Sequence, residues 1–203
     1  MRKGEKTRLH IIRKSAELFN QKGVSGSSIQ DIIETTGVTK GGIYRSFSGK
    51  DEIALEAFAY AGELVWRHFN QAIERVPTAA GKILAFCNVY NDPVHNPPLK
   101  GGCPFLISAV ESDHSTPVLR ELTVASFDRM LAFIREILQM GVECGEFRSD
   151  LDTESVASFI FSAMQGEIMI SRLTKENKHA LYTIRHIEQL LMAYSTKKSD
   201  NEA

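Results

Sequence analysis

The sequence predicts an all-α protein, and three observations carry that reading. Apolar residues recur at helical spacing along almost the whole chain, with no convincing run of strand-like alternation. Ser, Thr, Asp or Pro stand where such helices would begin, and Gly or Pro where they would end. The stretch SSIQDIIETTGVTKGGIYRSFSGKD, from Ser27 to Asp51, reads as two short helices joined by a tight turn, with a third starting directly after. The expected organisation is a three-helix, helix-turn-helix domain over 1–50 and a larger helical domain over 51–195. A polar, disordered tail is expected over 196–203.

The first helix is expected from Glu5 to Gln21, with Leu9, Ile12, Ala16 and Phe19 inward and Lys22-Gly23 as its stop. Ser27 is the expected N-cap of the second helix, with Gln30 completing a capping box. Ile29, Ile32 and Ile33 mark its buried face, and Gly37 suits the left-handed residue that follows a helix. Thr39 is the natural N-cap of the third helix, which turns Ile43 and Phe47 inward and Lys40, Tyr44 and Arg45 outward. Ser48 can cap a fourth helix, with Asp51 at its third position, running to Val76 before Pro77.

Beyond Pro77 a helix is expected over Thr78–Asn91, then a loop, NDPVHNPPLKGG, and a short helix over Pro104–Ser112. Pro117 opens a long helix through Met140, stopped near Gly141–Gly145. Asp152 or Thr153 opens another to Leu173, and the last covers His179–Tyr194.

The third helix has the chemistry of a DNA reader: a cation, a phenol and a second cation on one outward face. Gly41-Gly42 sits in its first turn, where each glycine costs about 1 kcal/mol relative to alanine. Close backbone approach to a phosphate is one reason to accept that cost, and a relaxed helix start is the other. Charge distribution agrees with the first. Residues 1–50 hold 10 Lys/Arg against 4 Asp/Glu, a net of +6, and the remainder holds 14 against 21, a net of −7. A basic head on an acidic body suits a protein that presents one end to phosphates. Lys3, Lys6 and Arg8 read equally as flanking phosphate contacts or as a basic terminus.

Other classes find little support. No apolar run approaches the ~18 residues of a membrane span, and no targeting segment is legible, so a cytoplasmic protein is expected, with no membrane partner. Cys87, Cys103 and Cys144 have neither paired nor metal-like spacing and are expected as free thiols. Glu111…His114 and Glu176…His179 are half-motifs of a di-iron bundle, but both lie at helix ends in polar surroundings. A helical metalloenzyme is therefore a remote alternative, and no nucleophile elbow, Walker loop or dinucleotide fingerprint is present. The chain is expected not to be an enzyme and to need no cofactor or metal.

Residues 7–56 resemble the N-terminal domain of the TetR family of bacterial transcriptional repressors. The resemblance rests on Ala16, Leu18-Phe19, Gly23, Ser27-Ser28, Ile32, Gly37-Val38-Thr39-Lys40-Gly41, Tyr44, Phe47 and Lys50. Gly42 stands where that family usually has Thr, Ser or Ala, and Arg45-Ser46 where an aromatic residue or His is frequent. Both departures bear on the operator sequence. The resemblance implies a double-stranded DNA operator as partner and a DNA-contacting set of Ser27, Ser28, Thr39, Lys40, Gly41, Gly42, Tyr44, Arg45 and Lys50. It also implies a small-molecule inducer, apolar or aromatic in character, that binds the larger domain and releases a repressor from DNA.

The last two long helices are too apolar for burial on one side only. Phe159, Ala163, Gly166 and Ile170 of the first, with Leu181, Ile184, Ile187 and Leu191 of the second, are the expected interface of a homodimer. Two heads about 34–36 Å apart would then address successive major-groove faces of a palindromic operator. Trp66, Phe69, Phe86, Tyr90, Cys103, Phe105, Phe127, Met130, Ile134, Met164 and Gln165 are candidate ligand-binding residues, although aromatics at this spacing also suit a plain core. Cys103 precedes Pro104 as an expected N-cap, where a thiol is made more acidic and reactive. A thiol-based sensor of electrophiles or oxidants is the alternative this raises, beside the preferred reading of a small buried residue.

Overall fold

The computed structural model describes residues 3–112 and 116–196, which form nine helices. They are α1 (Lys3–Lys22), α2 (Ile29–Thr36), α3 (Lys40–Ser46), α4 (Lys50–Ile73), α5 (Ala79–Asn88), α6 (Pro104–Val110), α7 (Pro117–Glu143), α8 (Thr153–Thr174) and α9 (Lys178–Ala193). Among the described residues the only strand-like pairing is an isolated bridge between Phe147 and Ser195. The all-α expectation holds.

Two compact units divide the chain. One gathers Met1–Trp66 with Pro98–Phe127, and the other gathers Arg67–Pro97 with Asp128–Ala203. In the first unit Ile11, Ile12, Ala16 and Phe19 of α1 meet Ile32 of α2, Ile43 of α3 and Ile53, Ala57 and Ala61 of α4 in one apolar core, which Phe47 completes. Leu9, expected inward, is 45% exposed, because the inward stripe of α1 turns through Ile11, Ile12 and Ser15 instead.

In the second unit Phe69, Phe86 and Tyr90 form a ring cluster, with centroids of Phe69 and Phe86 4.3 Å apart and of Phe69 and Tyr90 6.2 Å apart. Ile134, Leu138, Ile160, Met164, Ile168 and Ile187 are buried in the same unit. Glu146 holds the start of α5, accepting from Ala79 N at 2.7 Å and Ala80 N at 2.8 Å. Those two amides have no partner within the helix, so the carboxylate fills an obligatory vacancy. Thr196, first residue of the segment expected to be disordered, donates to Gly145 O at 2.6 Å; residues 197–203 lie outside the described residues.

Helix ends follow local chemistry, with corrections of a few residues. The capping box belongs to Ser28 and Asp31, not to Ser27 and Gln30: Asp31 N donates to Ser28 Oγ and Ser28 N to Asp31 Oδ2. Ser27 Oγ is turned inward onto Gly23 O, so it cannot cap. At the next junction Glu52, not Asp51, receives Ser48 N and Oγ, at 2.7 and 2.8 Å. Helix α4 ends at Ile73, short of Val76, and α5 ends at Asn88, short of Asn91.

Gly37 stands at φ 68°, ψ 10°, and its amide closes α2 on Ile33 O at 2.8 Å. A Cβ there would meet nothing within 4 Å, so the conformation alone demands glycine. Gly37→Ala is expected to cost about 1 kcal/mol, read as a lower urea midpoint with unchanged slope. An unchanged midpoint would show that the turn relaxes at no cost.

Candidate nucleic-acid interface

Helix α3 is set by its two ends. Thr39 accepts Gly42 N at 3.3 Å, and Phe47 N returns to Ile43 O at 2.9 Å. Ile43 is fully buried and Phe47 is 3% exposed, which anchors one side of the helix in the core. Lys40, Gly41, Tyr44 and Arg45 therefore share the opposite side, the i, i+1, i+4, i+5 pattern of a single helical face, and all four are exposed. Tyr44 is 49% exposed, a large ring left in solvent. Gly42 has a packing reason, since a Cβ there would lie 2.7 Å from Val38 Cγ1, whereas Gly41 faces open space.

Helix α2 and its entry loop are tied to the rest of the first unit by charged groups. Lys22 Nζ bonds Asp31 Oδ1 at 2.8 Å, joining the end of α1 to the start of α2. That contact first, and the Ser28 bonds second, hold the Asp31 carboxyl well below the usual carboxylate range. His10 Nε2 lies 2.9 Å from Thr36 O at the other end of α2.

Arg8 closes the head from the α1 side. Its guanidinium donates to Ser46 O, Glu52 and Glu56 and stacks 4.1 Å from the centre of the Phe47 ring. Of the two roles left open for Arg8, this geometry uses it inside the protein, fixing the end of α3 against α4. The Arg8 bond, followed by the Ser48 bonds, draws Glu52 down to about 2. Lys3 and Lys6 are exposed.

The expected DNA-contacting residues thus separate by environment. Ser28, Thr39, Lys40, Gly41, Tyr44 and Arg45 are exposed, Gly42 is half-buried, and Ser27 is 3% exposed with its hydroxyl engaged. Lys50 is half-buried, and its ammonium donates to Val24 O at 3.0 Å and Ser27 O at 2.9 Å. Sequence spacing places Lys50 at a helix start but does not reveal these partners more than 20 residues away.

Of the expected dimer residues, Phe159, Ile170 and Leu181 are exposed and Ala163, Gly166 and Ile184 are half-buried. Ile187 and Leu191 are not available to a partner: they are 0% and 2% exposed, packed inside their own unit. Leu173, at 79%, and Met192, at 62%, are exposed apolar residues of the same two helices that the sequence reading passed over.

The candidate ligand residues divide between the units. Phe69, Phe86, Tyr90, Ile134 and Met164 are core residues of the second, where Met130 and Gln165 are half-buried. Trp66, Cys103, Phe105 and Phe127 belong to the first. There Phe105 and Phe127 stack with centroids 6.0 Å apart and line an open groove with Ala109, Arg120, Thr123 and Val124. Cys103 does occupy the N-cap position of α6, but its side chain makes no capping bond and is 6% exposed, sheltered from solution electrophiles. Burial pushes the Cys87 thiol up to about 12.

Among the described residues no group of His, Cys, Asp and Glu could hold a metal ion. Glu176 pairs with Lys178, Glu111 binds backbone amides of the first unit, and His114 lies outside the described residues. No helix among the described residues is long and apolar enough to cross a membrane.

A short helix with an exposed basic and aromatic face, seated on a capped partner helix across a glycine turn, defines a helix-turn-helix DNA-binding regulator of transcription. Comparison with known proteins identifies the family. The model for bacterial regulatory proteins of the tetR family matches residues 11–57, and that for the tetracyclin repressor-like C-terminal domain matches residues 79–187. The chain belongs to the TetR family of bacterial transcriptional regulators, which are not enzymes.

Among solved structures, a TetR transcriptional regulator from Chloroflexus aurantiacus J-10-FL superposes with a TM-score of 0.91 at 36% identity, over 96% of this chain and 98% of that one. A TetR-family regulator from Cytophaga hutchinsonii gives 0.90 at 30% identity, over 98% and 99%. The HTH-type transcriptional repressor DhaR of Mycobacterium sp. (strain GP1) is 23% identical over 202 residues, 97% of each chain. Regulators of this family bind DNA operators, dimerise and bind small-molecule ligands.

Proposed function

We propose that this regulator is a homodimeric, cytoplasmic repressor that occupies a palindromic operator through paired α3 helices and leaves it when a small apolar or aromatic molecule binds. The observation that carries the reading is the single outward face of α3, where Lys40, Gly41, Tyr44 and Arg45 stand together beside exposed Ser28 and Thr39. Lys40 and Arg45 supply charge for phosphates or guanine edges. The Tyr44 ring can meet a thymine methyl and its hydroxyl a phosphate. Ser27 and Lys50 act from behind, through the loop that enters α2. Exposed apolar residues on α8 and α9 favour pairing of two copies there. The Phe105–Phe127 groove supports an apolar or aromatic effector.

Footprinting on DNA upstream of its own and neighbouring genes, at fixed salt, tests this reading. The expected result is a two-fold symmetric footprint that Tyr44→Ala weakens by about tenfold, the cost of one good base or phosphate contact. Protection without symmetry, or an unaffected Tyr44→Ala footprint, would remove α3 pairing from the model.

A further inference from the structure

The loop between α1 and α2 is held by a residue that lies far outside the helix-turn-helix. Gly23 leaves α1 at φ +77°, and the next two amides, those of Val24 and Ser25, turn to one common acceptor. Consecutive amides after a left-handed residue form a concave nest for an anion. Glu111, the residue after α6, fills it: Val24 N donates to Oε2 at 2.8 Å and Ser25 N to Oε1 at 3.1 Å. The carboxylate is seated so closely that a Cβ on Gly23 would lie 2.2 Å from Oε1.

Two carbonyls of the same loop accept from Lys50 Nζ, Val24 O at 3.0 Å and Ser27 O at 2.9 Å. The following residue is Ser28, the N-cap of α2. A second tether supports the first. Asn20 Nδ2, in the last turn of α1, donates to Lys100 O at 3.1 Å and Gly102 O at 2.9 Å. Gly101 between them, at φ +106°, approaches so closely that a Cβ would sit 2.2 Å from Asn20 O. The segment carrying α6 is thus fastened at both ends to the end of α1 and the loop beyond it.

We propose that Glu111 is a positioning residue for DNA binding: its carboxylate, clasping the Val24 and Ser25 amides, sets the loop that places α2 and the exposed face of α3. It touches no DNA in this role and acts through backbone. Both bonds are charge-assisted, the stronger kind, and their loss frees the loop between two helices whose relative placement DNA binding requires.

The inference rests on the DNA-binding role of the head, and the test separates the two. Operator affinity is measured for the wild-type protein, Glu111→Ala, Glu111→Gln and, as an exposed control of equal charge change, Glu121→Gln. The duplex is the one recovered by footprinting. Native-state amide exchange is followed in the same proteins. Glu111→Ala is expected to weaken operator binding by about tenfold to a hundredfold. Glu111→Gln, which keeps one acceptor, should fall between, and Glu121→Gln should match wild type.

Exchange should quicken at Val24 and Ser25 while the core amides of Ile11 and Ile12 keep their protection. The salt dependence of binding should not change, because no phosphate contact is lost. Affinity within twofold of wild type alongside faster Val24 and Ser25 exchange would overturn the proposal. So would a loss of affinity that only parallels a general loss of protection. If Glu111→Ala does not fold, the Glu111→Gln comparison decides between the same outcomes. Absence of operator binding by the wild-type protein would count against the operator reading instead, and the exchange data would still show whether Glu111 holds the loop.

Discussion

A glutamate in place of Leu181 is expected to turn a dimer into a monomer and to weaken operator binding by at least a hundredfold. Leu181 is 54% exposed on α9, and Phe159, at 53%, Met169 and Leu173 are exposed on α8. Apolar side chains exposed in such number on two adjoining helices suit the pairing surface proposed above. A carboxylate there would have to be desolvated on association, a cost of several kcal/mol without a partner. Loss of pairing also removes the second head, and with it the 10²–10⁴-fold advantage, in round terms about two to four powers of ten, of engaging two half-sites together. Sedimentation equilibrium and operator titration on the same sample check both halves of the expectation. A variant that stays dimeric would move the interface elsewhere on the molecule. One that becomes monomeric yet binds the operator as well as wild type would break the link between pairing and recognition.

The second large effect concerns Glu167, which is 4% exposed within the second unit. Burial pushes its carboxyl up to about 8, with Ser171, one turn on, offsetting part of the shift. The unfolded chain carries this group near the ordinary value of about 4.3. Between those values the native protein holds a proton that the unfolded chain has lost, so stability falls as pH rises. The contribution is fully present below pH 4 to 5 and is gone above about 8. At ~1.4 kcal/mol per pK unit the loss across the window is on the order of a few kcal/mol.

Glu52 and Asp31 act with the opposite sign. Their carboxyls are depressed by Arg8 and Lys22, so their stabilisation is lost only as pH falls below the ordinary carboxylate range. Urea unfolding at pH 5.5, 7 and 8.5 should therefore show a steady decline in wild type. Glu167→Gln, which keeps the shape and cannot ionise, should show little. A flat wild-type profile, or the same slope in both proteins, would mean that Glu167 is not carried as a buried acid.

Much of the head was legible because its signals are local. Gly37 and Thr39 mark the turn and the start of α3 through conformations and bonds that span at most four residues. Ile43 and Phe47 then orient the helix, and the outward placement of Tyr44 follows from periodicity. The same logic put the starts of α5 and α8 within a residue of Thr78 and Asp152, which the structure shows as their N-caps. Where two neighbours offered equal chemistry, it slipped by one. Ser27 and Ser28 can both cap, and only the inward bond of Ser27 to Gly23 O settles which one does.

The amino-acid sequence by itself determined the all-α class, the order of the helices, the helix-turn-helix and the exposed face of α3. Caps, turn residues and apolar period are properties of short stretches of chain. The tertiary structure alone decided that residues 98–127 gather with the head, and that Arg8, Lys50 and Glu111 act there as internal fasteners. Their partners lie 23 to 87 residues away, a separation that no periodicity encodes. It also decided which side of α9 is spare. Leu181, Ile184, Ile187 and Leu191 read as one apolar set in the sequence, and only the packing of Ile187 and Leu191 inside their own unit separates them from the exposed Leu181.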